Sequence, residues 1–173
     1  LGRLREPHLL DLPHRATAPA GETVAVEVDR IDVGGAQCDA FFEDFDRVVF
    51  WGAGMCGYAA CAFSVTAPGA TVLVVSPRAT LDPAVAGWDR RNLKARRLDF
   101  TSRYGYAPAM TEGTGQVFVL HDPRVTEDAM HAALFLGPQT TLLAVPMLGA
   151  SAEQALNFLN LPPRLIEAAV EGT

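Results

Sequence analysis

The chain has 173 residues, of which 49% are hydrophobic, so it can bury the core of one domain without a metal or a disulfide. Its formal net charge of −6 argues against a general nucleic-acid binder, whose surface is normally basic. No apolar run has the length of a membrane span, and we therefore expect no nucleic-acid partner and no membrane partner.

The three cysteines, Cys38, Cys56 and Cys61, lie in or near predicted core elements. An odd number of such residues favours reduced thiols and a cytoplasmic protein. Neither a C-x-x-C pair nor a histidine–cysteine cluster accompanies them, so we expect no metal and no cofactor.

In chain order, residues 1–20 are predicted to form an irregular N-terminal arm, and residues 21–173 a single domain. Residues 23–31 alternate apolar and polar side chains, which predicts a half-buried strand. An amphipathic helix is expected at 36–45.

Residues 48–64 are the most informative stretch, because an apolar run ends at glycines and an alanine-rich segment follows. This pattern predicts a strand, a tight turn and a helix. Read literally, Gly52-x-Gly54-x-x-Gly57 is a dinucleotide fingerprint, whose glycines let a pyrophosphate approach the helix N-terminus. If the predicted strand–turn–helix arrangement is compared instead of the literal residues, the turn is interpreted as a nucleophile elbow of the G-x-S-x-G type with Gly54 at the serine position.

The rest of the chain predicts an α/β fold, in a single three-layer domain with a mostly parallel sheet. Buried strands are predicted at 71–75, 117–120 and 141–145. Helices are predicted at 57–67, through 128–135, at 151–159, and from about residue 162.

Half of the basic residues, seven of fourteen, lie between Arg78 and Arg103. A basic helix there could attract an anionic ligand. It could equally be a solvated helix face, and the sequence leaves both interpretations open.

The dinucleotide reading has two difficulties. A strand and a helix are predicted before the fingerprint, and the strand after it ends at Ser76-Pro77-Arg78, where an acidic residue would normally hold the ribose. Arg78 could instead hold a 2′-phosphate. An NADP- or FAD-type oxidoreductase that uses Gly52, Gly54 and Gly57 therefore remains the alternative function.

The elbow reading accounts for more of the chain. In α/β-hydrolases the nucleophile, the acid and the histidine occur in that order, each at the end of a strand. Here the turn at Gly54, a strand that ends at Asp122, and a strand that leads to the loop containing Ala150 occur in the same order.

The run Gly52-Ala53-Gly54-Met55-Cys56-Gly57-Tyr58-Ala59-Ala60, together with Ser76-Pro77 and the segments 81–83, 104–108 and 121–124, resembles a bacterial α/β-hydrolase-like family of uncharacterised function. The resemblance covers roughly residues 45–161 and implies an α/β-hydrolase-like fold. The family's serine falls at Gly54 and its histidine at Ala150, while an acid remains at Asp122 or Asp128. The resemblance therefore implies a pseudoenzyme without Ser–His chemistry.

Such a site could still bind a small molecule, which could be anionic, because backbone N–H donors do not depend on the lost side chains. The protein could also act as an interaction module or carry an unrecognised activity. The residues expected to form this binding site are Gly52, Ala53, Gly54, Met55, His121 and Asp122. Cys56 and His131 are candidate substitutes for the nucleophile or base. We expect Cys56 to be a buried thiol, however, and His131 to form a surface pair with Asp128, one helical turn earlier.

Overall fold

The structure is a computed structural model that describes residues 23–27, 42 and 45–171. The predicted arm at 1–20, most of the predicted helix at 36–45, and Cys38 lie outside the described residues.

One sheet of five parallel strands organises the described chain. The strands are β1 Thr23–Glu27, β2 Arg47–Ala53, β3 Thr71–Val75, β4 Gln116–His121 and β5 Thr140–Ala144. Their order in space is their order along the chain. The predicted α/β fold with a parallel sheet is confirmed.

Six α-helices accompany the strands in this part of the chain, with 3₁₀ turns at Ser64–Thr66 and Ala95–Arg97. The helices are α1 Gly54–Phe63, α2 Pro83–Ala86, α3 Ala107–Met110, α4 Thr126–Ala132, α5 Ala152–Phe158 and α6 Pro162–Glu171. Helix α1 begins at Gly54, three residues before its predicted start, because the helix follows the turn without a linker.

Each face of the sheet has its own apolar core, since successive strand residues point to opposite faces. Phe50, Val74 and Val119 point to the face covered by α1. Ala132 of α4 packs in the same apolar core. On the opposite face, side chains of β2, β3 and β4 pack against α5 and α6. The strand residues are Trp51, Leu73, Val75 and Leu120, and the helix residues are Ala152, Leu156 and Ala169. The three layers of the predicted domain are present.

Strand order explains this division of the helices. When neighbouring strands are also consecutive in sequence, right-handed crossovers bring the connecting helices to the same face. The other face is then left to the segment that follows β5. Helices α5 and α6 return across it, and the Nη1 atom of Arg47 donates a hydrogen bond to the carbonyl of Val170 at 3.1 Å.

No helix within residues 45–171 combines the length and the apolar character that crossing a membrane requires.

Replacing Phe50 by alanine tests the core under α1. Phe50 is 2% exposed, whereas Phe158 at the end of α5 is 90% exposed. We expect Phe50→Ala to lower the free energy of unfolding by about 3–5 kcal/mol. The matched control, Phe158→Ala, should change it by less than about 0.5 kcal/mol. Urea denaturation measures both, and equal effects would contradict the core described here.

Candidate functional site

The carboxyl edge of the sheet brings together residues from three neighbouring strands. Ala53 pairs with Val75, and Val75 pairs with Leu120. The next residues of these strands are Gly54, Ser76 and His121, and they lie side by side where the strands end. The Ser76 N–H still donates to the Leu120 carbonyl, at 2.7 Å.

The turn between β2 and α1 is tight, and the helix follows the strand directly. Ala53 is extended, with φ −125° and ψ 149°, and Gly54 has a φ of +55°. A Cβ atom placed on Gly54 meets no described atom within 4 Å. A side chain at this position would therefore project from the tip of the turn without contacting any described residue at its Cβ.

Gly52 and Gly57 are needed for a different reason, which is close packing. A Cβ atom on Gly52 would lie 2.6 Å from the carbonyl oxygen of Cys56, and one on Gly57 would lie 3.1 Å from the Cβ of Pro77. A dinucleotide fingerprint and a nucleophile elbow both need such close approaches, so these two glycines do not distinguish the two motifs.

Among the described residues, no side chain caps the N-terminus of α1. Ala53 provides no side-chain cap, and the first turn contains no acidic residue. The first N–H groups of a helix have no partner within the helix and carry partial positive charge. The N–H of Met55 belongs to this group, and α1, at ten residues, is long enough for its dipole to contribute.

The two cysteines of α1 differ in their surroundings. Cys61 is fully buried, and burial raises the pKa of its thiol. Cys56 is only partly buried, in contrast to the expected core thiol. Its position in the first turn of the helix, rather than deeper in the sheet interface, accounts for the difference.

Asp122 links the predicted acid position to the predicted histidine position. Its carboxylate is buried and accepts hydrogen bonds from the N–H of Gly149 at 2.8 Å and of Arg124 at 2.9 Å. The Gly149 N–H, followed by that of Arg124, lowers the pKa of Asp122. Gly149 immediately precedes Ala150, which is exposed. The chain thus brings Asp122 and Ala150 together after β4 and β5.

Two buried polar atoms at the carboxyl edge have no hydrogen-bond partner among the described residues. They are Nδ1 of His121, which is 8% exposed as a residue, and Oγ of Ser76, which is 7% exposed. Ser76 also has a φ of +45°, which is uncommon for a residue other than glycine. Ser76 is not among the site residues predicted from the sequence, although the Ser-Pro pair at a strand end marks the position.

A second group of titratable side chains lies close to the elbow, and we call it the charge cluster. Its members are buried or partly buried and belong to the β3–β4 connection and to α4. They are Arg78, Asp89, Arg91, Asp128 and His131.

Both carboxylates of the charge cluster are shared by the two arginines. The side chain of Asp128, 1% exposed, accepts from Nη1 of Arg78 at 3.2 Å and from Nη1 of Arg91 at 2.6 Å. Asp89, fully buried, accepts from Nε of Arg91 at 3.0 Å and lies 3.4 Å from Nε of Arg78. Burial alone would raise the pKa of Asp89, but hydrogen bonds from Arg91 and His131 outweigh it, and the pKa lies well below its ordinary value.

His131 is fully buried, and both of its ring nitrogens have partners. Nδ1 accepts from the N–H of Ala79 at 3.2 Å, so the ring carries its proton on Nε2, which donates to Asp89 at 3.0 Å. Burial, together with the positive charges of Arg78 and Arg91, lowers the pKa of this imidazole. The histidine is therefore neutral at pH 7.

This arrangement corrects the expected surface pair of His131 and Asp128. Both residues are buried, and His131 turns to Asp89, 42 residues away in sequence, rather than to its helical neighbour. A fully enclosed imidazole with both nitrogens engaged has no access to a substrate. In this structure His131 is therefore not positioned as a solvent-accessible base.

The basic segment also differs from its predicted form, because residues 78–103 contain only α2 and a 3₁₀ turn rather than one basic helix. Arg78 and Arg91 belong to the charge cluster, and Arg96 donates to the backbone carbonyls of Ala86 and Asp89. The remaining basic side chains of the segment are exposed, namely Arg90, Lys94, Arg97 and Arg103.

The charge cluster holds the loop that follows β3 against the elbow. The backbone N–H of Arg78 donates to the carbonyl of Gly54 at 3.1 Å. The side-chain Nη1 of Arg78 donates to the carbonyl of Ser76 at 2.9 Å. One arginine thus connects the tip of the turn, the strained residue beside it and the carboxylates of the cluster.

Comparison of this chain with family models, curated proteins and solved structures found no match. In the described part of the chain, no group of three or more histidine, cysteine or acidic side chains is placed to hold a metal ion.

The neutral state of His131 predicts a pH dependence of stability. Because its pKa is lower in the folded protein, the unfolded chain binds a proton more readily below the ordinary value of about 6.5. The stabilisation is complete above that pH and is lost progressively as the pH falls below it, with a slope of up to about 1.4 kcal/mol per pH unit.

His131→Gln keeps a donor for Asp89 but does not titrate. We expect its free energy of unfolding to depend less on pH than that of the wild type between pH 7 and pH 5, in urea denaturation at each pH. Parallel curves for the two proteins would contradict a neutral, buried His131.

Proposed function

We propose that this chain is a degenerate α/β-hydrolase-fold protein that binds a small anionic molecule at the carboxyl edge of its sheet, above Gly54. The observation that carries the proposal is the elbow itself. Gly54 has a positive φ, has no described atom within 4 Å of an added Cβ, and begins a helix whose N-terminus has no side-chain cap.

The positions of the other two triad members support a hydrolase-like origin. The elbow follows β2, and the acid Asp122 follows β4, two strands away in the sheet. The loop after β5 donates the Gly149 N–H to Asp122, which is the contact that a histidine at Ala150 would take over. In a triad the acid orients the histidine in this way.

The site lacks the groups needed for acyl transfer. Gly54 has no side chain to attack a carbonyl, and Ala150 has no nitrogen to accept a proton. The N–H of Met55 is a backbone group and persists regardless of the residue at position 54. Backbone donors at such a turn stabilise an oxyanion, and they would equally hold a carboxylate or a phosphate.

The arginines of the charge cluster contribute little to ligand binding in this proposal. Arg78 and Arg91 are already paired with Asp89 and Asp128. A ligand would have to break these contacts and leave a buried carboxylate without a partner, at a cost of several kcal/mol. Selectivity for an anion therefore rests on the α1 N-terminus.

The dinucleotide alternative has less support from the described residues. Dinucleotides bind in doubly wound sheets at the point where the strand order reverses, since the crevice forms there. The order from β1 to β5 contains no reversal. The close packing at Gly52 and Gly57 suits a fingerprint but suits an elbow equally.

Replacing Met55 by proline tests the proposed donor. Proline is tolerated in the first turn of a helix, and it removes one N–H. Inorganic phosphate should raise the melting temperature of the wild type through binding to the folded state. We expect Met55→Pro to weaken phosphate binding roughly tenfold or more, which is the effect of losing one hydrogen bond to a charged group.

Met55→Ala is the matched control, because it removes the same side chain but keeps the N–H. It should retain the phosphate-induced shift, and the comparison also cancels the general stabilisation that phosphate gives to any folded protein. Equal shifts in the two variants would contradict the proposed site. Micromolar binding of NADP or FAD to the wild type, abolished by Gly54→Ser in a folded protein, would instead support the oxidoreductase alternative.

A further inference from the structure

The outer edge of the sheet at β5 has no pairing partner among the described residues. Among the described residues, β5 pairs only with β4. Leu142 and Leu143 point to opposite faces and are 38% and 37% exposed, so neither face is fully covered. Native edge strands usually carry a lysine, a proline or a bulge that prevents pairing with another chain. Residues Thr140–Ala144 contain none of these.

The hydrogen bonds to β4 show which backbone groups remain free. Val117 donates to Gln139 at 2.9 Å, and Val145 donates to His121 at 2.8 Å. In a parallel ladder alternate residues face the same neighbour, so the odd-numbered residues of β5 bond to β4. The N–H and C=O groups of Leu142 and Ala144 therefore point away from the sheet.

The chain segment that carries this edge has no charged side chain, and an acidic residue outside it, Glu112, lines a pocket with Leu136 and Thr140. Leu136 precedes the strand and is 80% exposed, and Met147 follows it and is 79% exposed. Residues 132–152 contain no aspartate, glutamate, lysine or arginine, in a chain with a formal net charge of −6. The charges of the chain lie elsewhere.

We propose that β5 pairs antiparallel with β5 of a second copy of this chain, about a two-fold axis at Leu142. The N–H and C=O of Leu142 then exchange two hydrogen bonds with Leu142 of the second copy. The N–H of Ala144 reaches the C=O of Thr140 in the other copy, twice by symmetry. Thr140 uses its own N–H within its copy, donating to Gly137 at 3.0 Å, so four hydrogen bonds join the strands.

This register also accounts for the two most exposed side chains near the strand. Leu136 lies six residues before Leu142, and Met147 lies five residues after it. An antiparallel pair therefore brings the Leu136 end of one strand opposite the Met147 end of the other. Two apolar side chains that are solvent-exposed in a single copy therefore lie toward the same end of the interface.

Charge favours a second copy as the occupant. In a two-fold contact, both copies use the same surface patch, so each residue faces a residue of that same patch in the second copy. A charged patch would repel itself across the axis, and a protein of net charge −6 can associate with itself most readily through an uncharged surface. A charged peptide, by contrast, would find no complementary charge along residues 132–152.

Sedimentation velocity over a range of protein concentrations tests the proposal. We expect the wild type to sediment at twice the chain mass of 18.5 kDa, and Leu142→Glu to sediment as a single chain, because two carboxylates would meet at the axis. The matched control is Leu98→Glu, at a leucine that is 66% exposed and lies outside the uncharged segment. This variant should remain dimeric, and circular dichroism shows whether each variant is folded.

Cysteine cross-linking tests the register and remains informative if Leu142→Glu fails to fold. Cα atoms of a hydrogen-bonded antiparallel pair lie about 5.5 Å apart, within the range of a disulfide. Oxidation should therefore link two copies of Leu142→Cys through the substituted position, as mapped by mass spectrometry, and should not link Leu98→Cys. A monomeric wild type at high micromolar concentration would overturn the proposal. A dimer that Leu142→Glu leaves intact would overturn it as well, and so would a dimer in which Leu142→Cys does not cross-link.

Discussion

The rest of the described structure depends on the order of the strands. When adjacent strands of a parallel sheet are also consecutive in sequence, their right-handed crossover connections all lie on one face of the sheet and cover it. Helices α1 and α4 cover that face, and α5 and α6 must return to cover the other. The same order aligns the carboxyl ends of β2, β3 and β4, so residues distant in sequence meet along one edge.

The elbow at that edge depends on backbone geometry and on the loop beside it. Gly52 allows the chain to approach the carbonyl of Cys56, and Gly54 makes the turn at positive φ. Arg78 then ties the carbonyls of Gly54 and Ser76 to the charge cluster. Each arginine of the cluster is ion-paired with both carboxylates, so the cluster fixes the loop beside the turn.

The sequence predicted the parts of the fold that have a local signature. Continuous apolar runs located the buried strands β3 and β4, and the glycines located the turn at Gly54. The sequence also indicated that Asp122 and Ala150 follow successive strands, and in the structure the Gly149 N–H donates a hydrogen bond to Asp122.

Features built from distant residues were not predictable in this way. The partner of His131 is Asp89, and nothing in the spacing of the two residues connects them. The basic segment was predicted as a helix from its charges, but Asp82 caps a short α2 and Gly87 ends it. The exposure of β5 was not predictable either, because an apolar strand has the same sequence pattern at the centre and at the edge of a sheet.

The most direct test of the account is the reaction of a Gly54→Ser/Ala150→His variant with a fluorophosphonate, which adds covalently to a serine activated by a histidine. If the turn is a nucleophile elbow that has lost its reactive groups, intact-mass measurement should show one phosphonyl adduct at position 54 of the double variant. The wild type should show none, and neither should Gly113→Ser, at a glycine where an added Cβ also meets no atom within 4 Å. A folded double variant without the adduct, or a wild type that reacts, would contradict the account.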